Sequence, residues 1–138
     1  MTDAVTQIPP DAEPIGTVGF NVHAGPIYRL ADEGELLRYA FLPEQKHMNG
    51  SGAVHGGMLM TFADVSMSRT ARLAFEGNGC NTVALSCDFV SPGKLGELIE
   101  SRVRITRKTR TMAFISAEVV SGGRPLLIAT GLWKVAGK

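Results

Sequence analysis

The sequence predicts a single α+β domain in which one long helix packs against an antiparallel sheet. Two patterns indicate this fold class. Apolar residues occupy most faces of one segment of about twenty residues, which is typical of a largely buried helix. After that segment, apolar residues recur at every second position and short turns separate the runs, which favours antiparallel strands. With 138 residues, of which 44% are hydrophobic and 20% charged, the chain is long enough for one domain with a real core.

The predicted elements follow one another in a simple order. Two short strands, at residues 26–30 and 35–42, come first, and the helix follows over residues 55–76. Four further strands are then predicted at residues 82–90, 98–107, 111–120 and 126–135. On the first of these four, strict alternation places on one face Val83, Leu85, Cys87 and Phe89.

The N-terminal residues are expected to lie outside the domain. Residues 1–14 lack the charged start and apolar stretch of a secretory signal. Pro9, Pro10 and Pro14 favour an irregular chain in this segment. The sequence therefore predicts a loosely ordered lead-in over residues 1–24 and a single domain over residues 25–138.

The composition argues against several classes of function. The net charge of +1 argues against strong electrostatic attraction to nucleic acid or to a membrane surface. No apolar run reaches the roughly 20 residues that span a bilayer. Cys80 and Cys87 have no metal or redox spacing, and the three histidines do not cluster with them, so no metal site is expected. These features together predict a cytoplasmic protein with reduced thiols.

The most informative segment runs from Asn49 to Asp64. Its glycine-rich loop leads through His55-Gly56-Gly57 directly into the predicted helix. The first turn of a helix leaves backbone N–H groups without partners, and these groups carry partial positive charge. Because glycine lets another molecule come close to such groups, this helix start is suited to hold an oxyanion or a polarised carbonyl.

Asp64 stands in an otherwise apolar stretch of the same helix. None of the residues three or four positions away is basic, so the helix itself offers no ion pair. A buried carboxylate without a partner is costly. Asp64 is therefore expected to face solvent, to meet an arginine from a strand, or to be functional. His55 leaves a similar choice between a cap that fixes the loop and an acid or base.

A nucleotide-binding loop is one alternative for the glycines. Gly50, Gly52 and Gly56 have a spacing similar to that of such loops. The dinucleotide motif, however, needs a strand that runs straight into the loop and a βαβ unit around it. Here the polar residues 43–49 intervene, and the remaining strands are predicted to be antiparallel. No Lys-Ser or Lys-Thr follows to form a phosphate loop, so both types of nucleotide site are rejected.

The spacing of Asn49, His55-Gly56-Gly57 and Asp64 resembles the signature of the hot-dog-fold acyl-CoA thioesterases, in their phenylacetate-degradation (PaaI-like) branch. The histidine follows the asparagine by six positions, and the aspartate follows the histidine by nine. Residues 91–97, Ser-Pro-Gly-Lys-Leu-Gly-Glu, also resemble a turn of that branch, and the resemblance covers roughly residues 26–135. It implies a long central helix wrapped by a curved antiparallel sheet of about five to six strands. It also implies a homodimer, often doubled to a tetramer, with active sites at the subunit interface.

The resemblance further implies roles for individual residues. The backbone N–H of Gly56 would polarise the thioester carbonyl, and Asn49 would position the thioester or a water molecule. Asp64 of the other subunit would be the nucleophile or the general base on water. Thr82 would hold that water, and His55 would fix the loop. Such a reaction converts an acyl-CoA to a free acid and CoA and needs no metal or redox cofactor.

Other residues are candidates for binding the substrate. The acyl group is expected to be aryl-acetyl or medium-chain, and its pocket is expected to include Gly57, Thr61 and Ser68. A basic turn later in the chain is a candidate for binding the CoA phosphates, although the sequence favours a solvated turn; it consists of Arg107, Lys108 and Arg110.

Three alternatives remain at this point. Ser86 lies on the same strand as Thr82 and is a second candidate for the water-holding hydroxyl. A hot-dog hydratase or dehydratase resembles a pattern in which the aspartate precedes the histidine by a few residues, whereas the order here is reversed. A non-catalytic acyl-CoA-binding module on the same fold would be favoured by a missing carboxylate, but Asp64 is present.

Overall fold

The computed structural model describes residues 4–137 and shows one antiparallel sheet with a long helix packed against it. The helices are α1 (Phe20–Ala24) and α2 (Gly56–Ala74), and a short 3₁₀ turn lies at Gln45–His47. The seven strands are β1 (Glu13–Ile15), β2 (Ile27–Arg29), β3 (Leu37–Phe41), β4 (Cys80–Phe89), β5 (Ile99–Lys108), β6 (Met112–Ser121) and β7 (Arg124–Val135). They are ordered β1-β2-β3-β5-β6-β7-β4, and every neighbouring pair is antiparallel.

This architecture confirms the predicted α+β fold class, in which a curved antiparallel sheet wraps one long helix. The predicted helix and the six predicted strands are all present, and their ends differ from the prediction by at most two residues. None of the helices within residues 4–137 is long and apolar enough to cross a membrane.

The N-terminal segment corrects one prediction. The loosely ordered lead-in expected over residues 1–24 is wrong for residues 13–24, which contain β1 and α1. β1 pairs with β2, which places Ile15 opposite Ile27, and Ile15 is only 8% exposed. The pairing and the burial both depend on tertiary contacts, which local composition does not show. The sheet thus has one strand more than the five to six expected, and the single domain of residues 25–138 stays a prediction.

The apolar face of α2 fixes how the helix sits on the sheet. Phe62, Ala63 and Met67 are fully buried and belong to the same core as Phe41 and Trp133. Large buried side chains of this kind dominate core energetics, so they determine the rotation of the helix about its axis. In that rotation the half-buried Asp64 faces β4, at one edge of the sheet.

Buried hydroxyl groups also join α2 to the sheet. The hydroxyl oxygens of Tyr39 and Thr70 lie 2.9 Å apart, and Ser101 donates to Ser66 at 2.7 Å. All four side chains are buried, and such groups need partners to offset their desolvation. Burial raises the pKa of Tyr39 above its ordinary value, although the bond to Thr70 opposes this.

β4 is an edge strand with an irregularity that matters for the site. Its only partner in the sheet of residues 4–137 is β7, and most of its side chains are exposed. The register with β7 shifts between Thr82 and Ala84, so Val83 is the extra residue of a β-bulge. The strict alternation predicted for this strand is therefore wrong at Val83, which is 54% exposed. Leu85 and Cys87 do pack against the core, and the bulge brings Thr82 to the same side as these two residues.

Candidate active site

A loop closed by Asn49 leads into α2. Asn49 Oδ1 accepts hydrogen bonds from the backbone N–H groups of Ser51 at 2.8 Å and Ala53 at 3.0 Å. An asparagine that bonds the following backbone in this way stabilises a tight turn. Its Nδ2 group has no acceptor among residues 4–137, so both of its N–H bonds can point to a ligand.

His55 caps the start of α2. Its Nδ1 accepts a hydrogen bond of 2.8 Å from the N–H of Gly57. The neutral imidazole therefore carries its proton on Nε2. Of the two roles that the sequence leaves open for His55, this geometry corresponds to the cap. Gly57 was predicted to bind substrate, but its N–H is already used in this contact.

The N–H of Gly56 is the free donor at this helix start. The N–H groups of Met58 and Leu59 both bond to the carbonyl of His55, and that of Gly57 bonds to the His55 ring. The N–H of Gly56 has no acceptor among residues 4–137, and it lies at the positive end of the helix dipole. A Cβ at Gly56 would lie 3.2 Å from the ring of Phe89, a tight contact that a small shift of the ring would relieve.

Asp64, Ser68 and Thr82 form a second group of polar side chains, here called the acid cluster. Thr82 Oγ1 donates to Asp64 Oδ1 at 2.8 Å, and Ser68 Oγ approaches the same oxygen at a longer 3.4 Å. No lysine or arginine of residues 4–137 forms a salt bridge with Asp64. Of the two candidate hydroxyls on β4, Thr82 therefore contacts the carboxylate, whereas Ser86 lines a depression elsewhere on the surface.

Trp133 is a member of the site that the sequence analysis missed. Its Nε1–H donates to Ser68 Oγ at 2.8 Å, and the indole is fully buried. Ser68 and Trp133 are separated by 65 residues, so no local pattern joins them. The only signal in the sequence is Gly131, a glycine two positions before the tryptophan. The structure explains it, because a Cβ there would lie 2.6 Å from the indole ring.

A cleft of about 400 Å³ opens beside the acid cluster. One wall comes from α2 and includes Asp64 and Ser68. The opposite wall comes from the N-terminal segment and includes Thr17 and Asn21. The segment predicted to be a loose lead-in thus shapes the surroundings of the carboxylate. Thr61, a predicted pocket residue, is not among the residues that line this cleft, and its hydroxyl donates to the carbonyl of Gly57 at 2.9 Å.

The two candidate functional groups of the chain, the N–H of Gly56 and the carboxylate of Asp64, lie apart on α2. Gly56 is the first residue of the helix and Asp64 the ninth, which corresponds to about 12 Å along the axis. A thioester carbonyl and its attacking group must lie about 3 Å apart to react. The N–H of Gly56 and the carboxylate of Asp64 in one chain are therefore poorly placed to act on the same carbonyl.

The basic turn lies at the other end of the helix. Lys108 Nζ stands 4.8 Å from the centre of the Phe75 ring, and Phe75 is the C-cap residue of α2. Arg107 and Arg110 are exposed. Within one chain, this turn is thus about a helix length from Gly56, or roughly 28 Å.

The thiols are poor candidates for catalysis. Burial raises the pKa of Cys80, and burial together with the charges of Asp88 and Asp64 raises the pKa of Cys87. A thiol with a raised pKa is protonated and a weak nucleophile at neutral pH. In the part of the chain that the structure describes, no three His, Cys, Asp or Glu side chains come together to hold a metal ion.

The chain is similar to known thioesterases in both sequence and structure. Residues 51–128 match the family model of the thioesterase superfamily. A Pseudomonas aeruginosa protein named as an esterase is 33% identical over 110 residues, which cover 79% of this chain and 82% of that protein. Human acyl-coenzyme A thioesterase 13 is 34% identical over 89 residues, which cover 64% of this chain and 63% of that protein.

A solved structure from Ralstonia eutropha, named as a thioesterase related to phenylacetic acid degradation, superposes with a TM-score of 0.75. It is 25% identical, and the match covers 87% of this chain and 94% of that one. Together with the family match and the fold, these similarities show that the chain is a hot-dog-fold member of the thioesterase superfamily, with PaaI-like thioesterases among its structural neighbours, and is a thioester hydrolase.

Proposed function

We propose that this thioesterase hydrolyses acyl-CoA thioesters at a site shared by two copies of the chain. The observation that carries the proposal is a pair of complementary groups. One is the unpaired N–H of Gly56 at a helix start, and the other is the carboxylate of Asp64, which two hydroxyls contact. The name of the human relative, acyl-coenzyme A thioesterase 13, supports acyl-CoA as the substrate class.

The N–H of Gly56 would act on the thioester carbonyl. As water attacks, negative charge develops on the carbonyl oxygen, and a preorganised donor at that point stabilises the transition state. The helix dipole adds to this stabilisation. Asn49 would supply a second contact through Nδ2, because its Oδ1 is already bonded to the loop backbone.

Asp64 would act as the general base. Its carboxylate takes a proton from water, the hydroxide oxygen bonds to the carbonyl carbon, and the carbon–sulfur bond then breaks. The proton passes from Asp64 to the CoA thiolate as it leaves. Thr82 uses its only proton on Asp64, so it would hold the attacking water as an acceptor rather than as a donor.

Two features support a site between two chains. Gly56 and Asp64 are separated by about 12 Å, so each chain has a carbonyl donor at one place and a base at another. β4 is an edge strand with unpaired backbone groups, and it carries exposed apolar side chains, including Val83 and Phe89. A second copy paired along β4 would cover this edge and bring the partner's Asp64 toward Gly56.

The acyl group and the CoA phosphates need binding sites of their own. The cleft beside Asp64 would take part of the substrate, and both aryl-acetyl and medium-chain acyl groups remain candidates. The exposed Arg107 and Arg110 remain candidates for CoA phosphate binding by the second copy. The reaction proposed here uses no metal or redox cofactor. Assembly into a dimer of dimers and a cytoplasmic location also stay predictions.

Replacement of Asp64 tests the reaction. Asp64→Asn should keep the fold and lower kcat about 10²- to 10⁴-fold, because an amide cannot accept the proton from water. Thiol release from a panel of aromatic and straight-chain acyl-CoA substrates measures the change and ranks the acyl groups. The control is Asp88→Asn, which should retain activity. It alters an exposed carboxylate on β4, the strand that carries Thr82. Full activity in Asp64→Asn would refute the mechanism.

Mixed dimers test whether the site is shared. In a dimer of one Asp64→Asn chain and one Asn49→Ala chain, one of the two sites keeps both intact residues. An equal mixture that reassorts at random should therefore recover about a quarter of wild-type activity, more than either parent. The absence of recovery in purified mixed dimers would place both residues in a site within one chain.

A further inference from the structure

We propose that Trp133 is a positioning residue, which acts through Ser68 to anchor Asp64 by its Oδ1 atom and so leaves Oδ2 as the oxygen that reacts. This inference rests on the function proposed for Asp64. It depends on the direction of each hydrogen bond in the acid cluster and on the seat of the indole ring.

The direction of the bonds follows from the donors available. An indole Nε1–H can only donate, so in its 2.8 Å contact with Trp133 the Ser68 hydroxyl is the acceptor. The proton of Ser68 is then free to point at Asp64 Oδ1, which is 3.4 Å away, or at Thr82 Oγ1, also 3.4 Å away. Thr82 in turn donates to Asp64 Oδ1 at 2.8 Å. In either arrangement the proton of Ser68 is directed into the acid cluster.

Close packing restricts the conformation of the Trp133 indole. Trp133 is fully buried, and it lies directly opposite Thr82 in the pairing of β7 with β4. Its ring covers Gly131, where a Cβ would lie only 2.6 Å from the ring atoms. A side chain packed this closely has few alternative rotamers. Ser68 and Thr82 are the two residues that contact the carboxylate. The rigid Trp133 side chain bonds to the first and lies beside the second.

The two oxygens of Asp64 become different as a result. Both hydroxyl contacts go to Oδ1, whereas no donor among residues 4–137 bonds to Oδ2. Thr82 donates to Oδ1 directly, and Ser68 donates either to Oδ1 or to Thr82, so rotation of the carboxylate is restrained and Oδ2 is held in a narrow range of directions. Holding the reacting atom in a narrow range of positions contributes to rate without changing how tightly the substrate binds.

Kinetic coupling provides the first test. Trp133→Phe keeps an aromatic ring but removes the Nε1–H, and Ser68→Ala removes the hydroxyl. Each should lower kcat about threefold to tenfold, the range expected for one hydrogen bond, with KM within about twofold of wild type. If Trp133 acts through Ser68, the double variant should be no slower than the slower single variant. Effects that multiply in the double variant would overturn the proposal.

A spectroscopic test is independent of activity. The chain contains a single tryptophan, so the ¹H–¹⁵N spectrum has one indole resonance. Ser68→Ala should move that resonance upfield and speed its exchange with solvent, because the bonded acceptor is lost. The control is Tyr39→Phe, which loses a different buried hydroxyl contact to α2, at 2.9 Å, and should leave both the resonance and kcat unchanged.

The two tests separate the possible failures. An indole resonance unaffected by Ser68→Ala would overturn the positioning role even if acyl-CoA is hydrolysed. If the resonance responds as expected but the wild-type protein hydrolyses no acyl-CoA, the contact stands and the proposed function fails. Should Trp133→Phe not fold, Ser68→Ala still decides the question through the indole resonance and the split between kcat and KM.

Discussion

The N-terminal end of α2 and its middle hold their proposed functional groups by different means. At the end, side chains of the loop bond to the backbone: Asn49 to two N–H groups and His55 to one. The functional group that results is itself a backbone N–H, that of Gly56. In the middle, side chains bond to one another, and the functional group is the carboxylate of Asp64.

This difference determines what a substitution can do. A backbone donor survives nearly every side-chain replacement, so the end of the helix should be sensitive mainly to changes of geometry. A carboxylate held by hydroxyls can be disabled by the loss of a single oxygen atom. The following predictions test this contrast, in order of expected effect.

Gly56→Pro is expected to have the largest effect, because it removes the backbone donor itself. Proline is tolerated at the first residue of a helix, and the ψ of 133° at His55 lies in the range that a residue before proline prefers. Loss of one oxyanion donor should lower kcat about 10²- to 10³-fold while the helix remains. Hydrolysis rates measure the fall in kcat, and a circular dichroism spectrum measures the helix content.

Gly56→Ala is the matched control for that variant. It keeps the N–H but adds the Cβ that would lie 3.2 Å from the Phe89 ring. Because a shift of a few tenths of an ångström in the ring would relieve this contact, the loss of activity should be much smaller than in Gly56→Pro. Equal losses in both variants would mean that steric crowding, and not the donor, matters at this position.

Thr82→Val should have an intermediate effect. The valine has nearly the same shape but lacks the hydroxyl that donates to Asp64 at 2.8 Å. A hydrogen bond to a charged group contributes about 1.5–3 kcal/mol, so kcat should fall about tenfold to a hundredfold. Ser86→Ala, which removes the other candidate hydroxyl of β4, should leave kcat unchanged. If instead Ser86→Ala is the slower variant, the assignment of Thr82 is wrong.

His55→Ala should affect stability more than chemistry. The variant loses the cap on Gly57, which should lower the free energy of unfolding by about 1 kcal/mol, as measured by urea denaturation. His55→Asn, which can still accept a bond at the N-cap, should recover most of that loss. A fall in kcat as large as that of Gly56→Pro, without loss of stability, would instead indicate that His55 is an acid or base.

The sequence predicted those parts of the molecule that depend on local order. The helix and six strands follow from periodicity, and the loop from Asn49 to Gly57 follows from glycine and helix-capping rules. β1 was missed because its three residues are stabilised by pairing with β2 and by the burial of Ile15, both of which are tertiary effects.

The acid cluster was predicted only in part, for a related reason. Asp64 stood out because a carboxylate is unexpected among apolar residues, and Thr82 came from the resemblance to a family. The partners themselves lie 18 and 65 positions apart in the chain, for Asp64 with Thr82 and for Ser68 with Trp133. Their contact depends on how β4 and β7 pair and on how α2 rotates, which no window of sequence reveals.

The bulge at Val83 has a consequence for how this chain can vary. Thr82 and Phe89 are seven positions apart, so a regular strand would point them to opposite faces, yet both reach α2. The extra residue shifts the alternation of side chains by one position, so that one strand contacts both the N-terminal end and the middle of α2. Exchange of the Val83 side chain would alter the edge that a second copy is proposed to cover, but it would leave this alternation unchanged. Deletion of Val83, in contrast, would restore regular alternation and turn either Thr82 or Phe89 away from α2. At this position the number of residues in the strand therefore matters more than their identity.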